Sequence, residues 1–432
     1  MEKIKSFTRD QIVTYYGSDE AVLIPSEYKN KKNEFRGVWV STVENIDINP
    51  FENKEDGMAQ IDAIIETCKK FSLNAIIFQV RPTNDALYES SINPYSSILS
   101  KNKKEDEDPG FDPLKYMIEQ ASSANIEVHA WMNPYRVTNR DLSKMGISKE
   151  EYLNNLSDKN FAKKNPSLVI ETSEHHLILD PASKVVQQYL VDTVVEIANK
   201  YDVKAFHIDD YFYPYDDIND ACEEEKRASI TPYLKIEDFR RYNVNEMIRK
   251  IHEAIKDVNK AKGKKITFGI SPFAVYRTNS KWFKDGNGGW DRGSNNFSGA
   301  LQCYEKLYSD VYLWMKEGWI DYVVPQDYFN LDNYKQKDDG TQIDIVKYAD
   351  IVRWWNDIAL ETKTTLYIGM GLYRVCDEGP WSDVNEIINQ LKLNQIYKNV
   401  KGFVMFTYHD FTRKDSVVKK ELQEKLQALW NK

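Results

Sequence analysis

Continuous apolar runs of about six to eight residues recur along the chain from residue 35, separated by segments with apolar residues at helical spacing. Runs that stay apolar, rather than alternating with polar residues, are typical of parallel strands covered on both faces. They predict strands at 35–43, 73–80, 126–132, 204–209, 265–271, 320–326, 365–371 and 402–407. The intervening patterns predict helices near 57–71, 112–125, 183–200, 236–260, 300–317, 344–360, 384–397 and 416–430.

Eight strands alternating with eight helices predict an α/β fold, a closed (β/α)8 TIM barrel. An open doubly wound sheet would also alternate, but its first turn would read G-x-G-x-x-G, whereas residues 41–45 read STVEN. Two long stretches interrupt the alternation, 137–175 after the third strand and 276–299 after the fifth. We therefore expect a barrel with long insertions at these two points.

The first 34 residues differ in composition from the rest of the chain, because they are polar and mixed in charge. This composition predicts a solvated N-terminal lead-in over residues 1–34, followed by a barrel over 35–432. After the third strand, residues 176–181 predict a small extra strand that places Asp180 near the rim of the barrel.

The fourth predicted strand runs into the most distinctive stretch of the chain, KAFHIDDYFYP at 204–214. Burying one ionised carboxylate costs several kcal/mol unless it is paired, and Asp209 and Asp210 stand side by side. Such a pair either caps a turn or forms a site. The neighbouring rings, which include Tyr211 and Tyr213, favour a sugar-binding cleft, since they offer flat apolar faces beside the carboxylates.

Polar and aromatic side chains also mark the carboxyl ends of the other predicted strands, where barrel chemistry gathers. The candidate substrate-binding residues are Trp39, Gln79, Arg81, Asn133, Tyr135, Arg136, His207, Tyr211, Tyr213, Ser271, Gln326, Tyr328 and Tyr373. Two interpretations of Arg81 and Arg136 stay open at this point. The two arginines either bind a carboxylate of the substrate or form ion pairs with the aspartates.

Glycoside hydrolysis needs a proton donor and a negative group, and two carboxyls with separated pKa values supply both. Asp209 and Asp210 are the candidate catalytic pair. An adjacent pair suits substrate-assisted cleavage, in which a 2-acetamido group of the sugar attacks the anomeric carbon. In the competing layout, one of the two works with a carboxylate from across the barrel, for which Asp327 is the best candidate, ahead of Asp180 and Glu44.

Two other functions compete with hydrolysis by paired carboxylates. His207 and the aspartates could ligate zinc or manganese, as in a metal-dependent polysaccharide deacetylase. However, the chain has six histidines, with no His-x-His on the first strand and no i, i+4 pair on a helix, so we expect neither a metal nor a cofactor. No G-x-S-x-G motif marks a nucleophilic serine. A carbohydrate-binding barrel without catalysis is the third possibility.

The composition and net charge of the chain indicate which classes of binding partner it suits. A net charge of −9 argues against nucleic acid, because phosphate binding needs a basic surface. The 27 tyrosines and 10 tryptophans suit an oligosaccharide or glycan partner as well as a core.

Four separated cysteines without a C-x-x-C pair indicate buried thiols rather than a disulfide framework. Without an apolar leader or a membrane-spanning run, the sequence as written predicts a cytoplasmic protein; an exported protein whose leader was removed is the alternative.

Several motifs occur in one order along the chain: FRGVWV at 35–40, FQVRP at 78–82, AWMNPYR at 130–136, HIDDYFYP at 207–214, GISPF at 269–273 and GWIDY at 318–322. Together they resemble the glycosyl hydrolase-like 10 family of bacterial proteins, over roughly residues 35–410. The resemblance implies a TIM-barrel glycosidase, with some members acting on the glycan of peptidoglycan, and points to Asp209 and Asp210 as the acidic pair. Relatives usually carry an apolar residue where this chain has Asp327.

The residues and the resemblance together predict a glycoside hydrolase that cleaves O-glycosidic bonds in N-acetyl amino-sugar glycans. Peptidoglycan strands of the bacterial cell wall, or their fragments, are the expected substrate class.

Overall fold

Eight parallel strands close into a barrel in the computed structural model, which confirms the predicted (β/α)8 fold. The structure describes residues 1–102, 104–231, 233–284, 288–375 and 379–431. The barrel strands are Phe35–Val40, Ala75–Arg81, Glu127–Met132, Ala205–Ile208, Thr267–Ile270, Tyr322–Val323 continued by Gln326–Asp327, Thr365–Gly371 and Val400–Phe406. The barrel closes because the first strand pairs with the eighth and the sixth pairs with the seventh.

The strands are buried on both faces, as their continuous apolar runs predict. Every residue of the second strand is buried, for example. Large rings fill much of the interior, where branched aliphatic side chains dominate in many TIM barrels. The interior cluster consists of Trp39, Ile77, Trp131, Ala205, Tyr322, Val324 and Val404.

Helices and their connections surround the strands and form the larger core with them. The helices are Lys54–Lys70, Pro113–Ser123, Leu142–Met145, Lys149–Asn155, Phe161–Lys164, Lys184–Lys200, Glu224–Ile230, Ile236–Lys262, Cys303–Lys306, Val311–Lys316, Tyr348–Thr362, Asn385–Asn394, Tyr408–Thr412 and Val417–Trp430. The single helix predicted over 300–317 is two short helices. Tyr308 adopts a left-handed conformation with φ of 53° between them, and the Asp310 side chain caps the second.

The insertion after the third strand contains three of the short helices and an antiparallel hairpin of Val169–Glu171 and Leu177–Leu179. The strand predicted at 176–181 is therefore confirmed. The insertion after the fifth strand includes a short turn at Ser280–Trp282, whose Trp282 ring packs edge-on against Tyr16. Residues 285–287 of this insertion lie outside the described residues.

The N-terminal segment is packed on the barrel, which differs from the solvated lead-in that its composition predicts. Glu2–Lys3 and Leu23–Ile24 pair as a small antiparallel sheet. Val13 and Val22 are buried, and Arg9 forms an ion pair with Asp332. Scattered apolar residues thus anchor a segment whose average composition is polar.

The structure also bears on the cysteines and on membrane-spanning helices. Cys68 and Cys303 are buried, Cys222 is exposed, and Cys376 lies outside the described residues. Within the described part of the chain, no helix combines the length and apolar character needed to cross a bilayer.

Candidate active site

A pocket of about 150 Å³ lies at the carboxyl ends of the barrel strands. It is lined by Trp39, Ser41, Val43, Gln79, Trp131, Arg136, Asp209, Asp210, Tyr211, Ser271, Gln326, Tyr328 and Phe406. Nine of these were predicted from the sequence as site residues: the two aspartates, Trp39, Gln79, Arg136, Tyr211, Ser271, Gln326 and Tyr328. The structure thus brings carboxylates, amides, one guanidinium and aromatic rings together around one opening.

Asp209 is buried at the base of this pocket and accepts three hydrogen bonds. The donors are Nδ2 of Asn133 at 2.5 Å, the indole Nε1 of Trp131 at 3.2 Å and the backbone N–H of Tyr211 at 3.1 Å. Burial raises the pKa of Asp209, while the positive charge of Arg136 and the three donors oppose that rise. Asp209 is therefore the better placed of the two aspartates to carry a negative charge.

Asp210 has a different environment. Its carboxylate accepts hydrogen bonds from the hydroxyl of Tyr215 and from Nε2 of Gln326, the latter at 3.1 Å. Burial and then the neighbouring charge of Asp209 raise the pKa of Asp210 to about 6. A carboxyl group with such a pKa can donate a proton close to neutral pH.

The amide of Asn133 is oriented by a chain of hydrogen bonds that begins in the backbone. The N–H groups of Thr42 and Val43 donate to Oε1 of Gln79, at 2.8 and 2.9 Å. Nε2 of Gln79 then donates to Oδ1 of Asn133 at 2.6 Å, so that Nδ2 of Asn133 faces Asp209. Asn133 and Gln79, both predicted site residues, thus hold a donor against Asp209.

Arg136 stands at the edge of the pocket, with its guanidinium 4.0 Å from the ring centre of Tyr211. A second cavity of about 160 Å³ shares Val43, Arg136 and Tyr211 with the first. Residues of the insertion after the third strand, including His176, line its far side. The cleft therefore continues from the aspartates toward that insertion.

Asp327 faces away from the pocket, although it was predicted as the partner carboxylate. In the sixth strand Gln326 pairs with Gly369 and Asp327 with Met370, so strand alternation sends the two side chains to opposite faces. Asp327 is fully buried, and among the described residues neither of its oxygens has a well-formed hydrogen bond. Burial raises its pKa well above the usual value and outweighs the nearby backbone N–H of Phe329. The structure does not support Asp327 as a catalytic partner.

The two reserve candidates also have other partners. Asp180 is buried and forms an ion pair with Lys226. Glu44 forms an ion pair with Arg140 at 2.8 Å. Neither carboxylate lines the pocket that contains Asp209 and Asp210.

Six of the predicted substrate-binding residues lie outside the lining of the pocket: Arg81, Asn133, Tyr135, His207, Tyr213 and Tyr373. Arg81 is fully buried and donates to the backbone oxygen of Asn133 at 2.5 Å. Its role is therefore to hold the backbone of Asn133 in place. Tyr135 and Tyr213 are buried as well, and the Tyr213 hydroxyl donates to Glu223. Tyr373 is partly exposed and packs edge-on against the ring of Tyr328.

His207 is buried beneath the pocket floor and does not contact the opening. Its Nδ1 lies 3.0 Å from the hydroxyl of Tyr322, and its Nε2 lies 2.8 Å from Oγ of Ser271. Both ring nitrogens are therefore engaged by protein groups, and burial lowers the pKa of His207 well below its usual value. This placement differs from the substrate contact predicted for it.

The described residues contain one group of three side chains with metal-ligand spacing, away from the aspartate pair. Ligand atoms of Glu174, His176 and Asp216 lie within 4.8 Å of one another beside the second cavity. All three are at least partly exposed.

Trp131, Phe406 and Tyr215 contribute to the site but were not predicted. Trp131 follows the inward-facing His129 by two positions, so strand periodicity alone could have identified it. Phe406 ends the eighth strand and lines the opening. Tyr215 reaches Asp210 through the conformation of the loop after the fourth strand, for which the sequence carries no periodic signal.

Comparison with known proteins identifies the family. A sequence profile described as Glycosyl hydrolase-like 10 matches residues 34–385. Glycosyl hydrolase YngK of Bacillus subtilis is 32% identical over 405 residues, covering 91% of this chain and 72% of that protein. Glycosyl hydrolase DigH of Escherichia coli K12 is 29% identical over 436 residues, covering 94% of this chain and 89% of that protein.

Solved structures with low sequence identity share the fold. Alpha-L-fucosidase isoenzyme 2 from Paenibacillus thiaminolyticus superposes with a TM-score of 0.52 at 12% identity, over 92% of this chain and 49% of that chain. This chain therefore spans about half the length of that fucosidase. The PgaB (BpsB) glycoside hydrolase domain from Bordetella bronchiseptica has a TM-score of 0.50 at 10% identity, over 92% of this chain and 98% of that chain. The family profile and the similarity to YngK show that this chain belongs to the glycosyl hydrolase-like 10 family.

Proposed function

We propose that this protein hydrolyses O-glycosidic bonds next to an N-acetylated amino sugar, in peptidoglycan glycan strands or their fragments. The observation that carries the proposal is the adjacent pair of Asp209 and Asp210 at one aromatic-lined pocket, in unlike environments. Membership of a glycosyl hydrolase-like family supports a carbohydrate substrate.

The pocket favours substrate assistance over a protein nucleophile. Asp209 and Asp210 are the only carboxylates among the described residues that line it. A retaining enzyme with its own nucleophile has two carboxyls about 5–5.5 Å apart, and an inverting one has them about 6.5–9.5 Å apart, on either side of the sugar. Here a second carboxylate across the pocket is missing from the described lining, and the 2-acetamido group of the substrate supplies the nucleophile.

The proposed first step uses the two aspartates in different roles. The acetamido oxygen attacks the anomeric carbon while the bond from that carbon to the glycosidic oxygen breaks. Asp210 donates its proton to the departing oxygen, and Asp209 accepts a hydrogen bond from the acetamido N–H and balances the positive charge of the cyclic intermediate. Asp210, now a carboxylate, then takes a proton from the water that opens the ring at the anomeric carbon, so the configuration is retained.

The rings around the pocket provide surfaces for the apolar faces of a sugar. Trp39, Trp131, Tyr211, Tyr328 and Phe406 line the opening. Aromatic rings stabilise such stacking while leaving the hydroxyl groups of the sugar free for hydrogen bonds. Arg136 also lines the pocket and carries N–H donors, whereas Gln326 donates to Asp210 and to the backbone oxygen of Ser271.

The test compares acetylated and deacetylated oligomers of the same length, for example chitin and chitosan hexamers, together with peptidoglycan glycan. We expect cleavage of the acetylated chains and no cleavage of chitosan. NMR of the fresh product should show that the anomeric configuration is retained. Asp210→Asn and Asp209→Asn should each lower the rate of this cleavage by at least about 10²-fold. Equal cleavage of chitin and chitosan would overturn the substrate-assisted mechanism. Wild-type rates in both aspartate variants would overturn the proposal that this pocket hydrolyses glycosidic bonds. Chelator-sensitive acetate release would instead indicate a metal-dependent deacetylase.

A further inference from the structure

A line of hydrogen-bonded side chains runs through the barrel interior, away from the pocket. Glu127 begins it at the amino-terminal end of the third strand, with Oε1 2.9 Å from Nε2 of His129. Nδ1 of His129 lies 2.9 Å from the hydroxyl of Tyr322, and that hydroxyl lies 3.0 Å from Nδ1 of His207. We call these four residues the core relay.

The upper end of the core relay reaches the floor of the catalytic pocket. Nε1 of Trp39 lies 3.3 Å from Nε2 of His207, and Oγ of Ser271 lies 2.8 Å from the same nitrogen. Trp39 and Ser271 both line the pocket that contains the aspartate pair. The core relay therefore connects the catalytic end of the barrel with the opposite face.

The lower end of the core relay is open to water. The Glu127 side chain is 39% exposed and borders a depression of about 640 Å³ on the amino-terminal face. By contrast, His129, Tyr322 and His207 are at most 3% exposed. Only the first member can thus exchange protons directly with solvent.

The chemistry of the two ends fixes the direction of every hydrogen bond in between. The indole N–H of Trp39 can only donate and the Glu127 carboxylate can only accept; with both ends engaged, Nε2 of His207 is the bare nitrogen and Nδ1 carries the proton. That Nδ1–H donates to Tyr322, whose hydroxyl then donates to the bare Nδ1 of His129. The remaining proton of His129 sits on Nε2 and donates to the Glu127 carboxylate, which can only accept.

The fold makes room for this line of polar groups. The ring of Tyr322 lies over Gly269 of the fifth strand, where a Cβ atom would overlap the ring carbons. Burying two imidazoles and a phenol without partners would cost free energy at each group, so a fully satisfied line is required in this core. An apolar core of the same size would not need such a line, which points to a role for the groups at its upper end.

We propose that Glu127, His129, Tyr322 and His207 are positioning residues for the catalytic pocket. The Glu127 carboxylate selects the tautomers of both histidines, so that His207 presents a bare Nε2 to Trp39 and Ser271. The indole of Trp39 and the hydroxyl of Ser271 are thereby held in one orientation beneath the sugar. The effect on catalysis rests on the proposed function, whereas the tautomers themselves do not depend on it.

The first test reads the tautomers directly by NMR of protein with 15N-labelled histidine at neutral pH. We expect the Nδ1–H tautomer for His207 and the Nε2–H tautomer for His129. Tyr322→Phe leaves the Nδ1–H of His207 without an acceptor, whereas Oγ of Ser271, 2.8 Å from Nε2, can accept from an Nε2–H, so the variant should give a mixture of tautomers at His207. Tyr367→Phe is the matched control, because its ring packs 5.6 Å from that of Tyr322 but lies outside the core relay.

Variants of Glu127 test the remote end without touching the pocket. Glu127→Gln keeps an acceptor oxygen and should preserve both tautomers. Glu127→Leu removes the acceptor at the lower end, so the line can also run in reverse toward Ser271 and both tautomers of His129 should appear. With a chitin oligomer as substrate, we expect kcat/KM to fall about tenfold in Tyr322→Phe, the scale of one lost hydrogen bond. Glu127→Gln and Tyr367→Phe should stay within about twofold of wild type.

The outcomes separate the two proposals. An Nε2–H tautomer or a charged imidazole at His207 in the wild-type protein would overturn the core relay. Identical tautomer populations in Tyr322→Phe and Tyr367→Phe would overturn it as well. The expected tautomers in a protein that cleaves no glycan would support the core relay and overturn the proposed function.

Discussion

The ends of the fourth and sixth strands both carry buried aspartates, yet only the fourth strand delivers them to the pocket. The fourth strand ends at Ile208, so Asp209 and Asp210 lie beyond the strand and both reach the opening. Asp327 lies within the paired part of the sixth strand, where alternation gives the inward position to Gln326. Whether an acid at a strand end can act depends on where the ladder stops, not only on which strand it follows.

The largest test of this comparison replaces each acid by its amide. Asp210→Asn removes the proposed proton donor, and we expect a loss in kcat of about 10²–10⁴-fold. Asp327→Asn changes a side chain that faces away from the pocket, and its rate should stay within about twofold of wild type. Initial rates on a chitin oligomer measure both. Comparable losses in the two variants would contradict the distinction between the strand ends.

The Asp210→Asn variant, although less active than wild type, should be more stable. The pKa of Asp210 rises from 3.8 to about 6 on folding. The contribution of this carboxyl group to the free energy of unfolding is therefore most favourable below pH 3.8 and is lost as the pH rises through 6. Asp210→Asn should therefore raise the free energy of unfolding by about 1–3 kcal/mol at pH 8 and by little at pH 4.

Urea unfolding at the two pH values measures this difference. Asp257→Asn, at an exposed acid of the helix Ile236–Lys262, is the control and should change stability at neither pH. A gain for Asp210→Asn that is the same at pH 4 and pH 8 would contradict the raised pKa.

The smallest expected effect concerns the donor that distinguishes Asp210 from Asp327. The Tyr215 hydroxyl donates to Asp210 and holds its pKa below the value that burial alone would give. Tyr215→Phe should raise that pKa and move the basic limb of the pH–rate profile upward by about one pH unit. Tyr213→Phe, which removes a hydroxyl bonded to Glu223 instead, should leave the limb in place. Equal shifts in both variants would rule out a specific role for Tyr215.

The barrel and its reactive end were predictable because they depend on periodicity. Continuous apolar runs gave the eight strands, and the polarity of their carboxyl ends gave most of the pocket lining, including Gln79 and Gln326. The side to which each residue points was harder to predict, because it depends on where pairing stops. Asp327 and His207 therefore lie outside the pocket that the sequence predicted for them.

Other parts were beyond prediction for different physical reasons. Tyr215 reaches Asp210 through an irregular loop, and no spacing rule connects the two positions. The core relay joins the third, fourth and sixth strands, whose side-chain directions follow from the register of the closed barrel. In the N-terminal segment the average polarity concealed the few apolar residues, such as Val13 and Val22, that are buried.

The N-terminal segment also constrains the order in which the protein can fold during synthesis. Ser6 and Arg9 bond to Asp332, and the hydroxyl of Tyr15 lies 3.1 Å from that of Tyr397. The first barrel strand likewise pairs with Val400–Phe406. Ser6 and the first barrel strand are therefore synthesised well before their partners, which lie more than 300 positions later, and an unpaired strand edge is exposed meanwhile. This arrangement predicts slow closure of the barrel, because the pairs that close it join positions far apart in the sequence.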